Sequence, residues 1–176
     1  FDPQFCSKFT HVLTPCGVED GCVIGEFNVV RPFTYSYSST FINYAHYNQS
    51  LAHPLGANFY ELNGIASYRI KRWYARGQIM YAQSGLDNNS DVNNGQDIFK
   101  NYNTRASDYG HKLGQGLKTD LLYIQGMVSY ILNPTYNLRV EMSVAGRQQK
   151  NSMITNKEII FSFGLRSSFR KLYYDF

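Results

Sequence analysis

The sequence predicts an all-β protein: an antiparallel transmembrane β-barrel, or the C-terminal portion of a larger one. Three observations carry that prediction. Apolar residues recur with period two over long segments, the spacing of a strand with unlike faces and not that of a helix. These segments run about 11 to 14 residues, against about 5–6 for the usual globular strand and about 9–11 for a tilted strand that crosses a bilayer. The connections between them alternate short and long, as in barrels with tight turns on one side of a membrane and long loops on the other.

Taken in order, the first segment covers residues 24–36 and places Phe27, Val29, Phe33 and Tyr35 on one face. Arg31 interrupts that face, and Pro32 implies a bulge or an edge. Over 60–71 one face reads Tyr60, Leu62, Gly64, Ala66, Tyr68, Ile70, and the other Glu61, Asn63, Ile65, Ser67, Arg69, Lys71. From Trp73, the residues Ala75, Gly77, Ile79 and Tyr81 oppose Tyr74, Arg76, Gln78 and Met80. Over 120–132, Leu122, Ile124, Gly126, Val128, Tyr130 and Leu132 oppose Tyr123, Gln125, Met127 and Ser129. Tyr136, Leu138, Val140, Met142 and Val144 then alternate with Asn137, Arg139, Glu141 and Ser143, followed by Arg147. Last, Ile159, Phe161, Phe163, Leu165 and Phe169 alternate with Glu158, Ser162, Arg166 and Arg170.

An apolar face can turn inward, as in a soluble ligand-binding barrel, or outward to lipid. Strand length, aromatic residues near strand ends and the alternation of loop lengths favour lipid. The connections are a tight turn at 71–72, another at 133–135, a loop of moderate length at 148–156, and long loops at 37–58 and 85–116. If Phe176 lies in the periplasm, every tight turn is periplasmic and every long loop extracellular. Six strands fall short of about eight, the smallest single-chain barrel. Residues 9–13 and 97–103 are therefore candidates for further strands, unless the segment belongs to a larger barrel.

Composition narrows the function classes. No run of about 18 apolar residues exists for a transmembrane helix. The net charge of +4 is dispersed, which argues against nucleic acid as a partner. Opening on Phe1 without a signal peptide marks a processed or partial chain. Residues 1–23, with Cys6, Cys16 and Cys22, form a segment of unassigned fold, and 24–176 form the barrel. An odd cysteine count leaves at least one thiol outside intrachain pairs; Cys16 with Cys22 is the expected disulfide.

The stretch V-R-P-F-T-Y-S-Y-S, followed by N-Y-A-H-Y-N-Q-S-L-A-H-P-L-G-A-N-F-Y-E, resembles the C-terminal part of outer-membrane proteins of the Wzi-type capsule-assembly family and their gliding-motility relatives. The ending F-G-L-R-S-S-F-R-K-L-Y-Y-D-F resembles the same group, and the likeness covers residues 24–176. It implies a larger barrel with an N-terminal portion missing here, set in the outer membrane of a Gram-negative bacterium. It also implies work in attaching capsular polysaccharide, or in surface adhesion and gliding motility. The implied partners are outer-membrane lipid, surface polysaccharide and other outer-membrane proteins, with no cofactor. Leu165, Phe169 and Phe176 would then be the signal read by the insertion machinery, or simply the residues that close the barrel and anchor it at the interface.

Candidate chemistry sits in the loops and on the polar face. Tyr44, His46, Tyr47, Asn48, Gln49 and His53 combine rings that stack on sugar faces with groups that bond hydroxyls. The competing reading is an ordered loop folded over the barrel mouth. Asp87 and Asp91, in an Asn- and Asp-rich stretch, are a weak calcium candidate, since the spacing departs from the EF-hand pattern. Glu61, Arg69, Arg76, Arg139, Glu141, Glu158 and Arg166 form an expected charge network in the lumen, by cross-strand pairing. No catalytic residue is assigned. Ser50 and His53 are close in sequence, but no nucleophile motif surrounds them.

Overall fold

A computed structural model describes residues 6–12 (backbone only), 21–39, 42–47, 49–87, 92–105, 107–135 and 137–167. Seven strands form one antiparallel sheet in the order β1, β2, β5, β6, β7, β8, β9. They are β1 Cys6–Val12, β2 Cys22–Val30, β5 Phe59–Ile70, β6 Trp73–Leu86, β7 Leu117–Asn133, β8 Leu138–Lys150 and β9 Thr155–Arg166. A short hairpin, β3 Ala45–His46 with β4 Gln49–Ser50, lies apart from the sheet in the β2–β5 connection. Among the described residues the sheet is not closed: β1 and β9 are its edges.

The sheet therefore starts at Cys6, in the segment 1–23 of unassigned fold, where 9–13 is a candidate further strand; β1 covers its residues 9–12. Cys22 is disulfide-bonded. Cys6 pairs with Val30, at the far end of β2 from Cys22. Eight strand steps separate the two, roughly 26 Å, while disulfide Cα atoms stand within about 6.8 Å. Cys6 is therefore not the partner; Cys16, the expected one, lies outside the described residues.

Three expectations needed correction. β2 stops at Val30, because Pro32 has no N–H to donate and Pro32–Tyr35 form a turn. Phe33 sits in that turn with φ 63° and is buried, so it and Tyr35 do not extend the strand face. The 148–156 loop shrinks to 151–154, because the β8–β9 ladder runs on to Lys150 opposite Thr155. Residues 97–103 form no strand; the only regular element there is a 3-10 turn, Tyr102–Thr104.

Cross-strand rows follow the predicted alternation. One row runs Val23, Ala66, Gly77, Gly126, Val144, Phe161, and the next holds Tyr68, Ala75, Val128, Met142, Phe163. This face is open: Leu62, Tyr68, Ile70, Trp73, Ile79, Ile124, Val128, Met142 and Val144 are all exposed. A shallow apolar groove of ≈ 750 Å³ crosses it, floored by Ala66, Ala75, Gly77 and Gly126. The other face is shaded. Glu61 and Ser129 are buried, and Asn63, Ser67, Arg69, Gln78 and Gln125 half-buried. Polar side chains thus screen one another, while the apolar face stays open.

The loops 31–58 and 87–116 leave one end of the sheet, the end marked by Val30, Phe59, Leu86 and Leu117, where the short 151–154 turn also lies. The β5–β6 and β7–β8 turns lie at the other, as does the 13–21 connection between β1 and β2. Lys71 takes φ 53° in the β5–β6 turn and Asn137 φ 48° in the β7–β8 turn. Asn is among the residues that tolerate this left-handed region.

Candidate functional site

The candidate site is the loop-built cap at that long-loop end. Its base is a small apolar cluster of Val30, Ala57, Phe59 and Ile98, with Tyr35, Ala45 and Leu55 packed against it. Val30 and Phe59 come from adjacent strands, and Ile98 from the long β6–β7 loop. Both loops therefore lie down on the sheet end because each buries apolar surface there.

Asn58 locks the arrangement. It is fully buried, with φ 57°. Its Nδ2 donates to the carbonyls of Gly85 (2.8 Å), Gln115 (2.9 Å) and Asn94 (3.4 Å). Its Oδ1 accepts from the Gly114 N–H at 2.7 Å. One amide thus ties the end of the first loop to both ends of the second. A Cβ at Gly85 would stand 2.5 Å from that Nδ2, so glycine is what lets the amide approach the β6 backbone. Asn93 and Asn94 complete the cap. Asn93 Nδ2 donates to Asn101 O (3.1 Å) and Thr104 Oγ1 (2.9 Å), and Asn94 N donates to Asp87 Oδ1 (2.7 Å).

The structure divides the predicted sugar-binding residues. Ala45 and Ser50 turn toward the base, while His46 and Gln49 face out from the β3–β4 hairpin. Leu51 N donates to Tyr44 O (3.2 Å), which prolongs the hairpin by one pair. Tyr44, His46, Gln49 and Leu51 therefore share one exposed face. Tyr47 stands at the tip, 88% exposed, with its ring 4.2 Å from His46. The Tyr44 ring stacks on Tyr35 at 5.8 Å. Asn48 lies outside the described residues. His53 is elsewhere: it packs on Phe59 at 4.4 Å, and its Nε2 lies 3.4 Å from Glu61 Oε2. Leu51 was missed in the sequence, although its period-two spacing from Gln49 was there to be read.

The polar face holds part of the expected charge network. Glu141 lies between Arg139 (2.9 Å) and Arg166 (3.7 Å). The Arg139 contact is an ion pair without a directed hydrogen bond. Glu158 pairs with Arg147 of the same polar face at 4.0 Å. Arg69 lies over the Tyr74 ring at 5.6 Å, and among the described residues it meets no carboxylate. Glu61 accepts from Asn28 Nδ2 at 3.0 Å. Arg76 is exposed. Replacing Glu141 with Gln is expected to lower stability by about 1–3 kcal/mol by leaving two guanidiniums facing each other. A second change, Arg166→Gln, should recover part of that loss in urea titrations of the refolded protein; no recovery would mean the pair is not coupled.

The remaining candidates carry less. Asp87 is engaged by Lys100 Nζ at 2.5 Å as well as by Asn94, and Asp91 lies outside the described residues. Among the described residues no three His, Cys, Asp or Glu side chains gather as metal ligands. Ser50 Oγ is buried without a hydrogen-bond partner, so no Ser50–His53 hydrogen bond forms. Leu165 is exposed near the end of β9; Phe169 and Phe176 lie outside the described residues.

The fold and the cap define an open, amphipathic antiparallel sheet with an ordered loop cap at one end. Compared with protein-family models, with curated proteins and with solved structures, the chain finds no match.

Proposed function

We propose that this chain is part of an outer-membrane β-barrel whose loop cap holds or helps assemble surface polysaccharide, without enzymatic activity. The observation that carries the reading is the inversion of the sheet: the apolar face is exposed, while on the polar face Asn28, Glu61 and Ser129 are buried and Glu141 half-buried. In water that arrangement leaves a large apolar surface uncovered, which soluble monomers avoid. In a bilayer it is the stable one.

Two further features support it. Trp73 and Tyr130 pack at 4.9 Å at the turn end, and Tyr60 and Tyr81 at 6.4 Å near the loop end. Trp73 and Tyr81 are eight steps apart on β6, roughly 27 Å of strand. Tilted by about 40°, that spans about 20 Å, close to the apolar band of about 25 Å between aromatic girdles. Strand parity is the other. Seven successive antiparallel strands leave β1 and β9 running in the same direction, so they cannot close antiparallel on each other. Closure needs an odd number of further strands, as a larger barrel would supply. A second reading, a structural subunit of an outer-membrane complex without glycan binding, is favoured by β9, whose residues are exposed along its whole length.

Trp73 provides the test, being the chain's one tryptophan. In liposomes, its fluorescence should be quenched by lipids brominated near the headgroup and less by those brominated at the chain end. The native full-length protein, with the strands that close the barrel, should also migrate faster unboiled than boiled in electrophoresis. Trp73 quenched only by aqueous acrylamide, with no heat-dependent shift, would sink the membrane reading.

A further inference from the structure

We infer that the ligand of the cap is an uncharged polysaccharide, recognised by ring stacking and hydroxyl hydrogen bonds and not by ionic attraction. This rests on the polysaccharide reading above and deepens it. From Pro32 to Tyr60 the sequence contains no Asp, Glu, Lys or Arg. Beyond Arg31, which directly follows β2, the β2–β5 connection with its exposed hairpin face is thus free of carboxylates, ammonium groups and guanidiniums.

The charged side chains of the neighbouring loop take no part in its described hydrogen bonds to this connection. Its contacts with the first loop are made by backbone and amides: Tyr102 N donates to Tyr37 O (3.1 Å) and Asn101 Nδ2 to Ser38 O (2.6 Å). Lys100, beside Asn101, is engaged by Asp87, and Arg105 by Asp108 at 2.6 Å. Arg105 also lies over the Tyr102 ring at 3.8 Å. What the hairpin offers is the Tyr44 ring backed by Tyr35, the Tyr47 ring, the apolar Leu51, the Gln49 amide and the His46 imidazole. Rings and Leu51 suit the C–H faces of pyranoses, and Gln49 donates to and accepts from hydroxyls. An anionic polymer would lose hydration on this surface and gain no counter-charge.

The test measures binding of the intact protein in detergent to dextran, laminarin, polygalacturonate and alginate, at about pH 8. Each is run at about 0.05 and about 0.5 M NaCl, which shortens the screening length about threefold. The expected result is retention of a neutral polymer with affinity changed less than about twofold by salt, and no retention of the acidic ones. Tyr44→Ala and Tyr47→Ala, both at exposed rings, should weaken it about tenfold while the heat-dependent migration stays. Salt-sensitive binding of polygalacturonate or alginate would overturn the inference and leave the polysaccharide reading standing. Binding of none of the four would overturn both.

Discussion

Asn58→Ala is expected to release the cap from the sheet and to cost about 3–5 kcal/mol. The side chain it removes satisfies two carbonyls, Gly85 O and Gln115 O, and the Gly114 N–H at the junction of two loops; Asn94 O, its longer third contact, keeps Gln115 Nε2 as a donor. Each buried group left without a partner costs about 1–3 kcal/mol, less where water can enter. Asn58→Asp should be no better, although Asp is close in shape and tolerates the same positive φ. It keeps the Gly114 contact but turns a carboxylate oxygen toward three carbonyl oxygens. Limited proteolysis checks this: cleavage within 92–115 should appear in both variants while the heat-dependent shift of the sheet remains. A cap that resists protease in both would show that the Ile98 and Phe59 packing suffices without the amide.

The second large effect separates the two faces of β8. Val144 lies on the exposed apolar face between Gly126 and Phe161, and Ser143 on the polar face between Met127 and Ser162. Val144→Arg is expected to destabilise the protein in a bilayer by about 2–4 kcal/mol, the cost of a guanidinium near the midplane. Ser143→Arg, one residue away, should cost less than about 1 kcal/mol, because it meets a polar face that already holds Glu141. Urea unfolding from liposomes measures both. In water the contrast would vanish, since Val144 is already exposed; equal stabilities would overturn the lipid-facing assignment.

The six strands read in the sequence all form, because a period-two pattern is a local property. A strand with one apolar and one polar face writes that contrast into consecutive residues, and 60–71 or 159–165 needed no tertiary information. The tight turn at 71–72 was legible for the same reason. Strand ends were less so. Residues 33–35 kept the alternation but left the strand, because Pro32 interrupts backbone pairing. Residues 148–150 lost the apolar pattern but stayed in the ladder, because backbone hydrogen bonds do not depend on side-chain polarity.

The sequence by itself determined the alternating faces, the grouping of long loops at one end of the sheet, and an exposed ring-and-amide stretch from Tyr44 to Gln49. Only the tertiary structure decided that the polar face is the shaded one, since the same alternation serves a sheet covered on either face. Only it sent His53 to Glu61, away from Tyr44 and Tyr47, and made Asn58 the lock of the cap. Those roles depend on partners up to 57 positions distant in the chain, and no local pattern encodes which distant carbonyl an amide will meet.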